Sequence, residues 1–366
     1  MRILLSTDLV GGVWDYAVTL AEGLVNRGVQ VMLAAIGPEE QIDHSSVPLG
    51  VEVVVSDFRL EWMPEPDLDL ARAADWLRDT ARHWDADILH LNQMAYAAHG
   101  FETPTIVVAH SDVISWFSET RGAAAPAEWS SYRESVRAGL IAADMVVTPS
   151  VYQSDLLRMH FGRPTDFVIY NAAAAPPAGG DTVRDGFVIA AGRAWDEAKG
   201  MEIIDEALIH LADSAPTAHL FGSTVGPMGE RYHSERLRCH GKVPKGELGS
   251  WMNRASAFIS PSRYEPFGLA PLEAALHGCP LILSDIGSFR ELWSDCAVFF
   301  RSGDSGSLAE RLSELGKDPE GRALRAQSAQ ERALTRYGTA DFTNRYLDLY
   351  GRLTGAAVEF ARVGES

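Results

Sequence analysis

The chain has 366 residues, 46% of them hydrophobic, three cysteines and a formal net charge of −18. That length suits two domains with a core each, and the acidic balance excludes nonspecific nucleic-acid binding. The charge is uneven: residues 1–170 hold 11 Lys and Arg against 24 Asp and Glu, net −13, while residues 171–366 hold 21 against 26, net −5. All four lysines, Lys199, Lys242, Lys245 and Lys317, lie in the second half, so an anionic ligand is expected there. The acidic first half is a poor match for an anionic membrane surface. Cys239, Cys279 and Cys296 have no CxxC spacing and read as reduced thiols of a cytoplasmic protein. The apolar run that opens the chain ends at Asp8, too soon for a signal peptide. No run of 18 apolar residues exists to span a membrane. These counts leave association with a membrane surface open, along with the oligomeric state.

In chain order, 3–6 reads as a buried strand. Val13, Ala17, Leu20, Ala21, Leu24 and Val25 then recur at helical spacing, Gly28 closes that helix, and 29–36 is the next strand. This βαβ opening predicts a parallel sheet. Gly11 and Gly12 precede the helix; alone, they read as a turn pair. A strand at 51–55, a loop at 60–70 rich in Pro, Asp and Glu, and a helix at 70–84 follow. Strands at 88–91 and 105–109 end in the polar residues Asn92 and His110. Open parallel sheets bind ligands at the C-terminal ends of their strands, which makes both residues candidates; the plain alternative for His110 is a solvated loop histidine. Gln93, Tyr96 and Trp116 join Asn92 as candidates on the acceptor side. A helix at 128–142, a strand at 145–147, a helix capped by Ser150 and a strand at 167–170 complete this half. Residues 171–185 have Ala, Pro and Gly without apolar periodicity and read as a linker.

The second half restarts with a strand at 187–191, a loop carrying Gly192, Arg193, Lys199 and Gly200, and a helix at 201–211. Arg can fork onto two phosphate oxygens and Lys adds a point charge; the alternative is two solvated surface cations. A strand at 218–221, a polar loop at 222–226, a short strand at 239–243 and a helix at 245–255 follow. Then comes 263–292, RYEPFGLAPLEAALHGCPLILSDIGSFREL. The apolar run 257–260 before it is a buried strand, and 269–277 has helical spacing, stopped by Gly278 and Pro280. Gly268 therefore stands where strand hands over to helix. Free N–H groups there favour an anion, and glycine leaves room for its approach. Glu273 lies one turn after Leu269 on the same face. A strand at 281–283, a turn at 285–288, a strand at 297–300 and helices at 307–316, 320–337 and 341–353 end the chain. No HExxH or similar His/Asp grouping suggests a metal.

Glu265 and Glu273 with seven residues between them, the internal Phe267-Gly268-Leu269, the Glu-Ala-Ala-x-x-Gly-x-Pro run and the later Arg290-Glu291-Leu292 resemble the signature of the retaining glycosyltransferases of family GT4 (glycosyltransferase group 1). That resemblance implies the GT-B fold: α/β, two Rossmann-like domains facing across a central cleft. Residues 1–171 would form an acceptor-binding domain and 172–340 a nucleotide-sugar donor domain, with the C-terminal helix 341–366 packing back on the first. By motif match, Glu265 contacts the donor sugar, Glu273 binds ribose, and the amides of Phe267, Gly268 and Leu269 hold ribose and diphosphate. Arg193 and Lys199 resemble the diphosphate clamp, Gly12 stands on the loop that faces the donor phosphates, the backbone at Val243 meets the base, and His110 sits by the donor sugar. Two departures stand out: Asn171-Ala172 where an Asn-Gly pair is common, and Gly287-Ser288 where Gly-Gly is common.

The implied activity is transfer of a hexosyl group, with retention, from a nucleoside diphosphate sugar to an acceptor hydroxyl, in polysaccharide, glycolipid or glycoconjugate synthesis. A UDP-sugar comes first, although no residue set separates uridine from guanosine or adenosine. Glu265, His110, Arg193 and Lys199 are the catalytic candidates; Asn92, His110 and Trp116 are the acceptor-side ones. No cofactor or metal is expected, because the cationic clamp takes the metal's place. A same-fold nucleotide-sugar epimerase or hydrolase, and a non-catalytic nucleotide-sugar-binding subunit, stay open as alternatives.

Overall fold

The computed structural model describes residues 1–177, 184–315 and 317–355. Part of the linker expectation (178–183) and the end of the C-terminal helix expectation (356–366) lie outside the described residues. The chain divides into two units: the first holds 1–118, 123–172 and the segment from 339 onward, the second 119–122 and 173–338.

In the first unit, β1 (Arg2–Asp8), α1 (Val13–Val25), β2 (Gln30–Ile36), β3 (Glu52–Ser56), α2 (Asp67–His83), β4 (Ile88–Leu91), β5 (Thr105–Val108), α3 (Val113–Arg121), α4 (Ser130–Ala142), β6 (Met145–Thr148), α5 (Val151–Phe161) and β7 (Phe167–Val168) follow one another. The strands form one sheet in the order β3-β2-β1-β4-β5-β6-β7, and every pair is parallel. Central strands such as β4 and β5 are buried at every position, as a sheet covered on both faces requires. One face packs Leu77, Val136 and Leu140 from α2 and α4. The other packs Leu20 and Leu24 of α1 with Phe342, Tyr346 and Tyr350, which come from the last helix of the chain.

The second unit holds β8 (Phe187–Ala191), α6 (Met201–Leu211), β9 (Thr217–Phe221), β10 (Leu237–Gly241), α7 (Lys245–Arg254), β11 (Ala257–Ser260), α8 (Leu269–Leu276), β12 (Leu281–Ser284), α9 (Gly287–Trp293), β13 (Val298–Phe300), α10 (Ser305–Glu314) and α11 (Pro319–Arg336). Its sheet runs β10-β9-β8-β11-β12-β13, again parallel throughout. Ile204 and Leu208 of α6 meet Leu308 and Leu312 of α10 over one face.

The chain then returns to the first unit as α12 (Thr339–Thr354). At the crossing with α1, a Cβ on Gly23 would come within 2.0 Å of the Thr343 hydroxyl, so only glycine lets the two helices approach this closely. His90 of β4 holds α12 from inside: its Nδ1 is 2.7 Å from the Tyr350 hydroxyl, and its Nε2 is 3.2 Å from that of Tyr16.

Four local expectations need correction. The segment 113–121 is a helix that apolar spacing did not mark; the Asp112 carboxylate accepts the Ser115 N–H at 2.7 Å and so caps its first turn. Helix α2 starts at Asp67, ahead of Leu70, because Pro66 and two acidic residues open it. The short strand expected at 239–243 runs Leu237–Gly241, which leaves Val243 beyond its end. Gly287 and Ser288 belong to α9 rather than to a turn.

Candidate functional site

In the second sheet the strand order reverses between β8 and β11. Crevices at such a reversal, beyond the C-terminal strand ends, are where open parallel sheets bind ligands. The loops leaving β8 and β11 are the ones that carry Arg193, Lys199 and 265–268.

The first loop is built around Asp196. Its Oδ1 accepts the Ala198 N–H at 3.1 Å, which caps a short 3-10 turn over Glu197–Lys199. Its Oδ2 accepts from Arg193 Nη2 at 2.8 Å. The guanidinium also lies 5.5 Å from the Trp195 ring. Its Nε is buried without a hydrogen-bond partner among the described residues, while the side chain as a whole is 38% exposed. A guanidinium fixed at one corner and partly exposed suits an incoming anion.

The second loop is stitched to the first. The Arg263 N–H donates to Ala198 O at 2.7 Å, and Arg263 Nη1 donates to Glu197 O at 3.0 Å and pairs with Glu202. The Ser284 hydroxyl donates to Ser262 O, and that of Ser288 to Glu265 O. The result is a direct ion pair between Lys199 Nζ and Glu265 Oε2, with both side chains mostly buried. An ammonium has three donors, so Lys199 can keep this partner and still meet a phosphate oxygen.

Gly268 caps α8 at φ 89°, and a Cβ there would press to 3.2 Å on Glu265 Cγ and the Phe289 ring. The first-turn N–H groups of α8, beginning at Leu269, have no carbonyl one turn back to bond. Phe267 is buried, with its ring edge-on to Tyr337 at 5.4 Å; its side chain belongs to the core and its backbone is what a ligand can use. Glu273 is half-buried one turn along α8 from Leu269, and Val243 is half-buried between β10 and α7. Arg290 forks onto Asp285 at 2.6 Å twice and lies over Phe299, which is a structural lock.

In the first unit the reversal falls between β1 and β4. Gly12 caps α1 there with ordinary helical torsions, and its carbonyl accepts the Tyr16 N–H at 3.0 Å. Asn92 follows β4 and is buried; its Oδ1 meets His110 Nε2 at 2.8 Å, and its Nδ2 donates to Ser6 O at 2.7 Å. The amide is thus spent inside the protein. His110 sits edge-on to Tyr16 at 4.4 Å, and desolvation pushes its imidazole down to about 3, so it is neutral at physiological pH. Trp116 is half-buried on α3, against Phe117 at 5.1 Å. No group of three or more His, Cys, Asp or Glu among the described residues is placed to hold a metal ion.

Sequence reasoning passed over two residues of these neighbourhoods. Glu61 is buried at 7% exposure, its Oε2 accepts the Ala95 N–H at 2.7 Å, and burial pushes its carboxyl up to about 7, with the charges of Asp8 and Asp112 adding to the effect. Ser288, noted only as a departure from Gly-Gly, is the residue that fastens the Glu265 loop; its position eight residues after Pro280 gave no such signal.

Residues 186–318 match the family model described as glycosyl transferases group 1, and residues 10–173 match that of glycosyltransferase family 4. The phosphatidyl-myo-inositol mannosyltransferase of Mycobacterium leprae is 25% identical over 97% of either chain. A D-inositol 3-phosphate glycosyltransferase of Xylanimonas cellulosilytica is 26% identical over 90% of this chain and 83% of its own. Among solved structures, sucrose-phosphate synthase of Thermosynechococcus elongatus superposes with a TM-score of 0.79 at 18% identity, covering 98% of this chain and all of its own. Anabaena HepE in complex with UDP-glucose gives a TM-score of 0.75 at 19% identity, over 96% of this chain and all of its own. No helix among the described residues is long and apolar enough to cross a membrane.

Proposed function

This chain belongs to the group 1, family 4 glycosyltransferases and has the GT-B fold, and on that premise we propose that it moves a hexosyl group from a nucleoside diphosphate sugar to an acceptor hydroxyl with retention at the anomeric carbon. The observation that carries the proposal is the meeting of Lys199, Arg193, Glu265 and the α8 start at the reversal point of the second sheet. Breaking the glycosyl–phosphate bond leaves negative charge on the diphosphate and positive charge on the sugar. Arg193, Lys199 and the α8 amides stabilise the departing diphosphate without a metal. Glu265 lies at the sugar side of that group, where its carboxylate opposes the growing positive charge. Glu273 takes ribose hydroxyls, the backbone at Val243 meets the base, and His110 meets the sugar. UDP is the favoured nucleotide, supported by the likeness to a protein solved with UDP-glucose. The first unit takes the acceptor, with Trp116 on its side, while Gly12 faces the donor phosphates, in synthesis of a polysaccharide, glycolipid or glycoconjugate by a cytoplasmic enzyme.

The test is a panel of UDP-, GDP-, ADP- and TDP-hexoses read by nucleotide release and by NMR of the product. Transfer from at least one donor with the anomeric configuration kept supports the reading. An inverted product, or release from none of the donors, contradicts it.

A further inference from the structure

Asn92 spends both ends of its amide inside the protein, and the way it does so dictates the state of His110. Its backbone N–H donates to Ser6 Oγ at 3.0 Å, and the same Ser6 hydroxyl donates to Gln93 Oε1 at 2.7 Å. Its side-chain Nδ2 is 2.7 Å from Ser6 O. A backbone carbonyl can only accept, so the NH₂ end of the amide must face Ser6. The carbonyl end then faces His110 Nε2 at 2.8 Å. A carbonyl oxygen also only accepts, so Nε2 has to bring the hydrogen. In a neutral imidazole the other ring nitrogen is then a bare acceptor. The orientation is not a matter of choice at any step, because β1 and β4 pair in register through Leu5 and His90 and so fix Ser6 beside Asn92.

We propose that Asn92 is a positioning residue that holds His110 as the Nε2–H tautomer, so that Nδ1 is offered as a hydrogen-bond acceptor to a hydroxyl of the transferred sugar. This replaces the expectation that Asn92 itself contacts the acceptor. It rests on the proposed function only for what His110 touches; the tautomer follows from the hydrogen bonds alone. A sugar hydroxyl can donate to a fixed lone pair on Nδ1, whereas the opposite tautomer would set two acceptors, Nε2 and the Asn92 carbonyl oxygen, against each other and leave Nδ1 no lone pair to offer. The low proton affinity of the enclosed ring is in keeping with a group that works neutral.

The experiment is ¹⁵N NMR of the ring nitrogens in histidine-labelled full-length protein, with the His110 signals assigned by their loss in His110→Gln. The wild type should show one non-exchanging tautomer, with Nε2 protonated and Nδ1 bare, near neutral pH. An averaged pair of signals, or protonation at Nδ1, overturns the proposal, and this readout depends on neither glycosyl transfer nor the folding of a variant at Asn92. Asn92→Ala should let the two tautomers interconvert and lower kcat at least tenfold, since a histidine in the wrong tautomer is costly to catalysis, while nucleotide diphosphate affinity by calorimetry stays at the wild-type value. Asn92→Asp should raise the pH at which His110 takes up its second proton. A wild-type His110 spectrum retained in Asn92→Ala overturns the positioning role. Failure of the transfer assay with a confirmed tautomer would count against the sugar contact and leave the assignment of Asn92 in place.

Discussion

Replacing Glu61 with Gln should change how stability depends on pH, and the structure sets the size of the change. Glu61 lies at the start of the segment before α2, with its carboxylate against the Ala95 N–H and with Asp8 and Asp112 as charged neighbours. Burial raises its carboxyl from 4.5 to about 7. A carboxyl whose folded value lies above its unfolded one favours folding below the unfolded value, and that contribution is lost as pH rises through the folded value. At about 1.4 kcal/mol for each pH unit, the loss between pH 4.5 and just above 7 comes to about 3 kcal/mol. Gln keeps an oxygen for the Ala95 N–H and carries no charge, so the variant should not lose this amount. Scanning calorimetry from pH 5 to 8 reads the difference. Relative to wild type, Glu61→Gln should gain stability as pH rises, by roughly 6–12 °C in the melting midpoint of a unit of this size. Wild-type and variant midpoints that stay parallel across the range would show that the Glu61 carboxyl is not raised in the folded protein.

Three further outcomes follow from the site and the core. Glu265→Gln should lose roughly 10²-fold or more in kcat with little change in nucleotide affinity, whereas Glu273→Gln should mainly raise the donor KM, because ribose is held alike before and during the reaction; an unchanged kcat for Glu265→Gln contradicts the role given to it. EDTA should leave most transfer activity in place, and complete loss restored by Mg²⁺ or Mn²⁺ would show that the cationic clamp does not act alone. Burial and the nearby His110 charge push His90 down to about 3, so its neutral form favours folding above pH 6.5 and that contribution is lost as pH falls towards 3; His90→Gln should flatten the acid limb of the stability curve, and an acid limb unchanged from wild type counts against it.

The parallel sheets were legible because β1 to β6, β8, β9, β11 and β12 are short apolar runs, several of them separated by helical spacing, as a doubly covered sheet demands, whereas β10, mostly exposed, gave its bounds poorly. The closeness of Lys199 to Glu265 follows from two loops that each leave a strand and enter a helix within a few residues, an order visible in the sequence, while the roles given to these residues come from the motif resemblance. Helix α3 was not legible. Its sequence mixes Ser, Trp, Phe, Glu and Thr without a clear stripe, and Asp112 shows itself as its cap only through the bond that its carboxylate accepts from the Ser115 N–H. Asp followed three residues later by Ser was the available signal. Glu61 was hidden for a different reason: Pro and acidic neighbours give its segment the composition of an exposed loop, and only the turn at Ala95–His99, distant in sequence, buries it. The function of Asn92 also depends on partners from β1 and from beyond β5, which no local pattern announces.

Arg193 and Lys199 are proposed to hold a nucleoside diphosphate at the reversal point of the second sheet. Titration calorimetry of UDP, GDP, ADP and TDP against wild type, Arg193→Ala and Lys199→Ala tests it most directly. Lys199→Ala leaves the mostly buried Glu265 without its cation, so its melting midpoint is measured alongside, and Arg193→Ala serves as the variant that leaves that ion pair whole. At least one diphosphate should bind the wild type, and each variant should weaken that binding by about 1.5–3 kcal/mol, the size of a charge-assisted hydrogen bond. Wild-type affinity retained in both variants would show that Arg193 and Lys199 do not hold the diphosphate.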